Sequence, residues 1–166
     1  EHLIREGYTN AQKTAIMGSS HGGLVAGAVL TQRPDLYAAG VIKAGLLDML
    51  RFETVTVGSK WVDEFGTVAD EEDFANLSSY SPYHNLSDTI NYPPILITTG
   101  SSDDRVSPMH SYKLAARMQQ INQQKNQILL WSQDGVGHQG PSSIEDRLHT
   151  EAYVFGFLEA FVLNQD

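Results

Sequence analysis

Lys13-Thr14-Ala15-Ile16-Met17-Gly18-Ser19-Ser20-His21-Gly22-Gly23-Leu24 is the stretch that decides how this chain folds. Lys13 to Gly18 is a short apolar run that closes on glycine and reads as a buried strand. Gly22 to Gln32 carries many small residues and suits a closely packed helix, which Arg33-Pro34 then ends. Between them Gly18-Ser19-Ser20-His21-Gly22 matches G-x-S-x-G at a strand-to-helix junction. A serine on such a sharp turn has its Oγ held out, away from the sheet. Both flanking glycines are expected to be needed, because the turn leaves no room for side chains beside it. The backbone N–H of His21 would then point at a developing oxyanion.

Outward from that turn the same alternation continues. A second apolar run covers Ala38 to Ala44 and a helical stretch Leu46 to Phe52, before a polar, irregular region with a short helix around Glu71–Leu77. Pro93-Pro94 opens Ile95–Gly100, the clearest strand. Ser107-Pro108 is a hydroxyl cap with a proline behind it, and starts a helix to about Asn122 with apolar Tyr112, Ala115, Ala116 and Met118. Gln127 to Trp131 gives a fourth strand, and Asp134 to Pro141 a glycine-rich loop. Ser142 and Glu145 read as a capping box ahead of a helix that keeps Ile144, Leu148, Ala152, Phe155, Leu158 and Val162 on one face. Strands alternating with helices predict an α/β protein: a parallel sheet of about four strands with helices on both faces.

A nucleophilic serine needs a base, and the base an orienting carboxylate. On this kind of sheet they follow in the order serine, acid, histidine, on loops after later strands. Asp103 lies just past Ile95–Gly100, with Asp104 beside it as a rival, and His138 just past Gln127–Trp131. His84 precedes the acid, which is the wrong order. His110 and His149 sit inside helices, where surface positions are expected, and His2 is terminal. No H-E-x-x-H or comparable spacing supports a metal site, and nothing calls for a cofactor.

The 166 residues are 41% hydrophobic and 19% charged, which suits one domain with a core and excludes bulk disorder. Eleven basic against twenty acidic residues, a net charge of −9, argue against a nucleic-acid partner. The absence of Cys excludes disulfides, thiolate zinc sites and a thiol nucleophile. No run approaches the ~18 apolar residues of a membrane helix. The acidic group Asp63, Glu64 and Asp70–Asp73 reads as a solvated face.

Five motifs in order carry a family resemblance: Gly18-Ser19-Ser20-His21-Gly22-Gly23-Leu24, Gln32-Arg33-Pro34-Asp35-Leu36, Tyr80-Ser81-Pro82-Tyr83-His84-Asn85, Asp103-Asp104-Arg105-Val106 and Gly137-His138. Over essentially the whole length the chain resembles the prolyl oligopeptidase family. The resemblance implies an α/β-hydrolase domain beside a β-propeller, and cleavage of short peptides after proline. It implies Ser20, Asp103 and His138 as nucleophile, acid and base, and so favours Asp103 over Asp104. It further implies that Arg105 bonds a substrate carbonyl and that Trp61 stacks on the substrate proline, in a pocket where Phe65 replaces the family's usual Tyr. His21 stands where the family usually has Asn.

The resemblance also implies that residues 1–166 are the C-terminal portion of the hydrolase domain. The propeller, the first hydrolase strands and the Tyr that gives a second oxyanion donor would lie upstream. The chain alone is then expected to be inactive or nearly so, and its open sheet edge to invite association. Its partners would be short proline-containing peptides and the upstream part of the same protein; the compartment stays open between cytoplasm and periplasm. Two other readings are a different serine hydrolase on this fold (an esterase, a dipeptidyl or an acylaminoacyl peptidase) and a non-catalytic interaction module.

Overall fold

The computed structural model describes residues 1–163. Four strands, β1 (Ala15–Ser19), β2 (Ala39–Lys43), β3 (Ile95–Gly100) and β4 (Ile128–Gln133), form one sheet in the order β1-β2-β3-β4. Every pair is parallel, Met17 facing Val41, Val41 facing Leu96 and Leu96 facing Leu129. Parallel neighbours require crossovers. Helix α2 (His21–Gln32) makes the first and α5 (Met109–Gln119) the last. Ala26 and Leu30 of α2 and Leu114, Ala115 and Met118 of α5 pack with Ile42, Ile95 and Ile97 on one face. Helix α6 (Ile144–Leu158) covers the other face, where Val154 and Phe157 meet Ala39, Val41 and Leu96. Alternate residues of β2 and β3 therefore go to opposite layers, and both layers are apolar. That is why these strands read as unbroken apolar runs.

Among the described residues the remaining α-helices are α1 (His2–Arg5), α3 (Val62–Phe65) and α4 (Glu71–Tyr80), with single 3-10 turns in the connections. Asp70 caps α4 by accepting from the Glu72 and Asp73 N–H groups at 2.9 and 3.0 Å. A second core joins Leu24 in the first turn of α2 to Leu46, Met49, Phe52, Leu77 and Val106, with Trp61 and Phe65 packed against it.

Several expectations change. Strand β1 is not buried: it is an edge strand whose residues alternate between exposed and half-buried, because among the described residues only β2 pairs with it. Leu46 to Arg51 forms no helix, and Phe52 only opens a single 3-10 turn, Phe52–Thr54. The apolar residues of this stretch go to two cores, Leu47 to the sheet core and Leu46, Met49 and Phe52 to the second, which one helix face could not do. The N–H groups of Asp48 and Met49 bond the side chains of His110 and Ser81 instead of helical carbonyls. In α5, Tyr112 and Ala116 face outward, while His110 is 1% exposed and so a core residue. The cap of α6 is Ser143, one residue later than expected, with its Oγ accepting from the Asp146 N–H at 3.0 Å. In α6 itself Ile144, Leu148 and Phe155 are exposed, since Val154 and Phe157 take the sheet side.

Candidate active site

Ser20 links β1 to α2 with φ 57° and ψ −121°. Positive φ is strained for a residue with a Cβ, and such strain is held only where neighbours fix the backbone. Here the Ser20 N–H donates to the Lys43 carbonyl at 2.9 Å, and the Ser20 carbonyl accepts from Gly23 and Leu24 at 2.9 and 3.2 Å. The two flanking glycines are not equivalent. A Cβ at Gly18 would lie 1.9 Å from the Gly22 carbonyl oxygen, whereas one at Gly22 would meet nothing within 4 Å. The turn thus demands glycine at Gly18, and Gly22 matters there as the backbone it presses on. His21 opens α2, and the first N–H groups of a helix have no acceptor within it.

Asp103 and His138 follow the adjacent strands β3 and β4. Their loops touch: a Cβ at Gly100 would lie 2.1 Å from the Val136 carbonyl oxygen, and the Ser102 N–H donates to that same oxygen at 3.0 Å. This approach brings the two side chains together. His138 Nδ1 lies 2.7 Å from Asp103 Oδ2, and His138 Nε2 lies 3.0 Å from Ser20 Oγ. The other Asp103 oxygen accepts from the Arg105 and Val106 N–H groups, both at 2.9 Å, which fixes the carboxylate plane. The Asp103 side chain is fully buried and that of His138 nearly so. Asp104 is exposed and joins no ion pair among the described residues. A Ser–His–carboxylate chain of this order can pass the serine proton to imidazole and stabilise the imidazolium that results.

The expected binding residues lie on loops around this chain. Trp61 ends a short turn, Gly58–Trp61, that runs into α3, and Phe65 ends α3; both are half-buried against the second core. Phe65 stands edge-on to His21 with ring centroids 5.2 Å apart. The Arg105 side chain is exposed and without an ion pair among the described residues, so its five donors are free for a ligand. Its carbonyl accepts from Thr56 Oγ1 at 2.6 Å, tying the loop after β3 to the segment that carries Trp61.

One cluster escaped the sequence reading. Asp48 is fully buried and binds Lys113 of α5 and, at 3.1 Å, Arg51, with His84 Nδ1 3.8 Å away. Burial pushes the Asp48 carboxyl up, but the Lys113 bond and charge, with His84 and Arg51, outweigh it and hold the carboxyl below its usual range. His110 Nδ1 accepts the Asp48 N–H at 3.1 Å, and burial pushes that imidazole down to about 4. A signal did exist: Asp48 is the one charge in Leu46-Leu47-Asp48-Met49-Leu50, and a buried charge needs partners. Among the described residues, no group of three His, Asp or Glu could hold a metal ion, and no helix is long and apolar enough to cross a membrane.

With this geometry in view, comparison with known proteins is specific. The sequence profile described as the prolyl oligopeptidase family matches residues 1–165. The prolyl endopeptidase of Dictyostelium discoideum is 41% identical over 99% of this chain, and that of Elizabethkingia meningoseptica 38% identical over 95%. A solved prolyl endopeptidase structure superposes with a TM-score of 0.95 at 36% identity over 99% of the chain. The chain spans 22% of the length of the two curated relatives and 24% of that structure. The sheet and its covering helices are accordingly those of an α/β-hydrolase. The chain belongs to the prolyl oligopeptidase family of serine peptidases.

Proposed function

We propose that this chain supplies the catalytic triad of a serine endopeptidase that cleaves short peptides on the carboxyl side of proline. The observation that carries the reading is the continuous hydrogen-bonded chain Ser20 Oγ, His138, Asp103. The trypsin-like logic of such a chain applies. Ser20 Oγ attacks the scissile carbonyl while His138 Nε2 takes its proton. Asp103 keeps the His138 Nδ1–H directed and stabilises the imidazolium. The His21 N–H donates to the oxyanion, His138 returns the proton to the leaving amine, and water then hydrolyses the acyl-enzyme by the same steps reversed.

Trp61 and Phe65 favour a flat, apolar substrate group such as a pyrrolidine ring over a charged one. The free guanidinium of Arg105 suits a substrate carbonyl, and a simple esterase needs none of these three. On this reading the chain is the C-terminal portion of the peptidase domain, and the second oxyanion donor and the propeller belong to upstream sequence. Loss of one such donor elsewhere costs on the order of 10²–10³ in rate. The complete protein should therefore cleave a fluorogenic peptide after proline, and residues 1–166 alone should be at least about 100-fold slower. Equal turnover of alanine and proline peptides, or of p-nitrophenyl esters in preference to both, by the complete protein would exclude the assignment.

A further inference from the structure

The aromatic pocket segment and the nucleophile turn meet at one side chain, His21. Its Nδ1 lies 3.3 Å from Glu64 Oε1, and its ring stands edge-on to Phe65 at 5.2 Å and 73°. Phe65 stands edge-on in turn to the fully buried Phe52, at 5.5 Å and 78°. Three rings thus form a ladder from the first residue of α2 down into the core.

The segment held by this ladder has few supports of its own. Gly58–Trp61 and α3 are single turns, too short to be stable unaided. At one end Thr56 bonds the Arg105 carbonyl. At the other the N–H groups of Thr67 and Val68 donate to Asp73 and Glu53 at 3.0 and 3.1 Å. Between those ties, Trp61 and Phe65 depend on side-chain packing. His21 and Glu64 are both more than half exposed, so their ionic contact is weak. The ring contact, backed by Phe52, is the firmer link.

We propose that His21 is a positioning residue for substrate selection: its ring fixes Phe65, and through it the segment bearing Trp61, relative to Ser20. This rests on the post-proline reading above and adds to it the side chain that couples pocket to nucleophile. The coupling acts on how the residue before the scissile bond is held.

The test uses the complete protein and two fluorogenic peptides that differ only in Pro or Ala before the scissile bond. Fluorophosphonate labelling of Ser20 in each variant checks that the site is folded. His21→Ala should raise KM for the proline peptide about 3- to 10-fold, the scale of one aromatic edge contact. It should change kcat less than KM and lower the proline-over-alanine ratio of kcat/KM. His21→Phe, which restores an edge for Phe65, should recover most of the ratio. Wild-type KM and ratio in His21→Ala, or a His21→Phe variant as impaired as His21→Ala, would overturn the proposal. Failure of the underlying reading shows separately, as a wild-type protein with no preference for proline.

Discussion

Asp103 illustrates how much a single side chain can be asked to do. One carboxylate oxygen accepts two backbone N–H groups, from Arg105 and Val106, and the other faces His138 Nδ1. Asn has the same shape but only one accepting end. If its NH2 faces His138, Nδ1 must accept, the proton moves to Nε2, and Nε2 can no longer take the Ser20 proton. If the NH2 faces the loop instead, it opposes two N–H donors. Asp103→Asn in the complete protein should therefore lower kcat for a proline peptide by about 10⁴, the loss seen when this swap is made in another serine-protease triad. Asp104→Asn, at an exposed neighbour, should stay within about threefold. A reversed order of effects would move the acid to Asp104. The order serine, acid, histidine on loops after successive strands points to these positions in the sequence, but position alone leaves Asp103 and Asp104 open, and only the family resemblance favours Asp103. The glycine requirement was harder to read: the pattern marks Gly18 and Gly22 alike, but only the folded turn shows whose Cβ would strike backbone.

Between elements, the buried cluster around Asp48 joins the loop after β2 to α5, and through His84 and Ser81 to the chain following α4. It was legible only as an oddity, a lone acid among leucines, since of its partners only Arg51 is near in sequence, and His110 and Lys113 lie 62 and 65 residues away. The expectation of a surface His110 fails for a related reason: position within a helix does not reveal which face meets the core. The sheet strands β2 and β3 were readable because a doubly covered strand must be apolar throughout, whereas edge strand β1 carries no sign that it lacks a neighbour. The cluster has a pH consequence. With His110 pushed down to about 4 by burial, the unfolded chain takes up a proton below pH 6.5 that the folded chain refuses. Asp48 pulls this group up and Lys113 pushes it down, and burial exceeds both. Stability from His110 is thus complete above about pH 6.5, and lost steadily toward pH 4, by about 2 kcal/mol at pH 5. Asp48, whose carboxyl is held low, gives way only at still more acid pH. The melting temperature of the complete protein should fall between pH 7 and pH 5, and fall less in His110→Gln. An identical fall in both would show that His110 does not titrate as its burial demands.

At the scale of the whole molecule, the surface is larger than its size warrants and carries large exposed apolar side chains. An accessible area of 8997 Å² compares with about 8,100 Å² expected for a compact monomer of 18.3 kDa. Apolar side chains lie open on one side of the sheet and on α6. Ile144 and Phe155 of α6 are 74% and 60% exposed, and Met17 on edge strand β1 is 49% exposed. A shallow groove of about 350 Å³ lies between the start of β1 and the chain at the end of α6, walled by Ala15, Phe155, Leu158, Glu159, Val162 and Leu163. Unpaired N–H and C=O groups along β1 offer a template for another strand, and the apolar strip beside it adds a hydrophobic gain on pairing. The chain spans 22% of the Dictyostelium discoideum relative, and on the reading proposed above it is upstream sequence of the complete protein that would cover this edge. Residues 1–166 produced alone should therefore associate. Sedimentation should give species heavier than 18.3 kDa at micromolar concentration, with ANS fluorescence above that of the complete protein. Met17→Lys together with Phe155→Glu, charges placed on the open edge and the exposed helix face, should shift the population toward monomer while leaving the buried layers of Ile42, Ile97 and Val154 untouched. A monodisperse monomer without the substitutions would mean that the edge and groove are already closed by the chain's own residues.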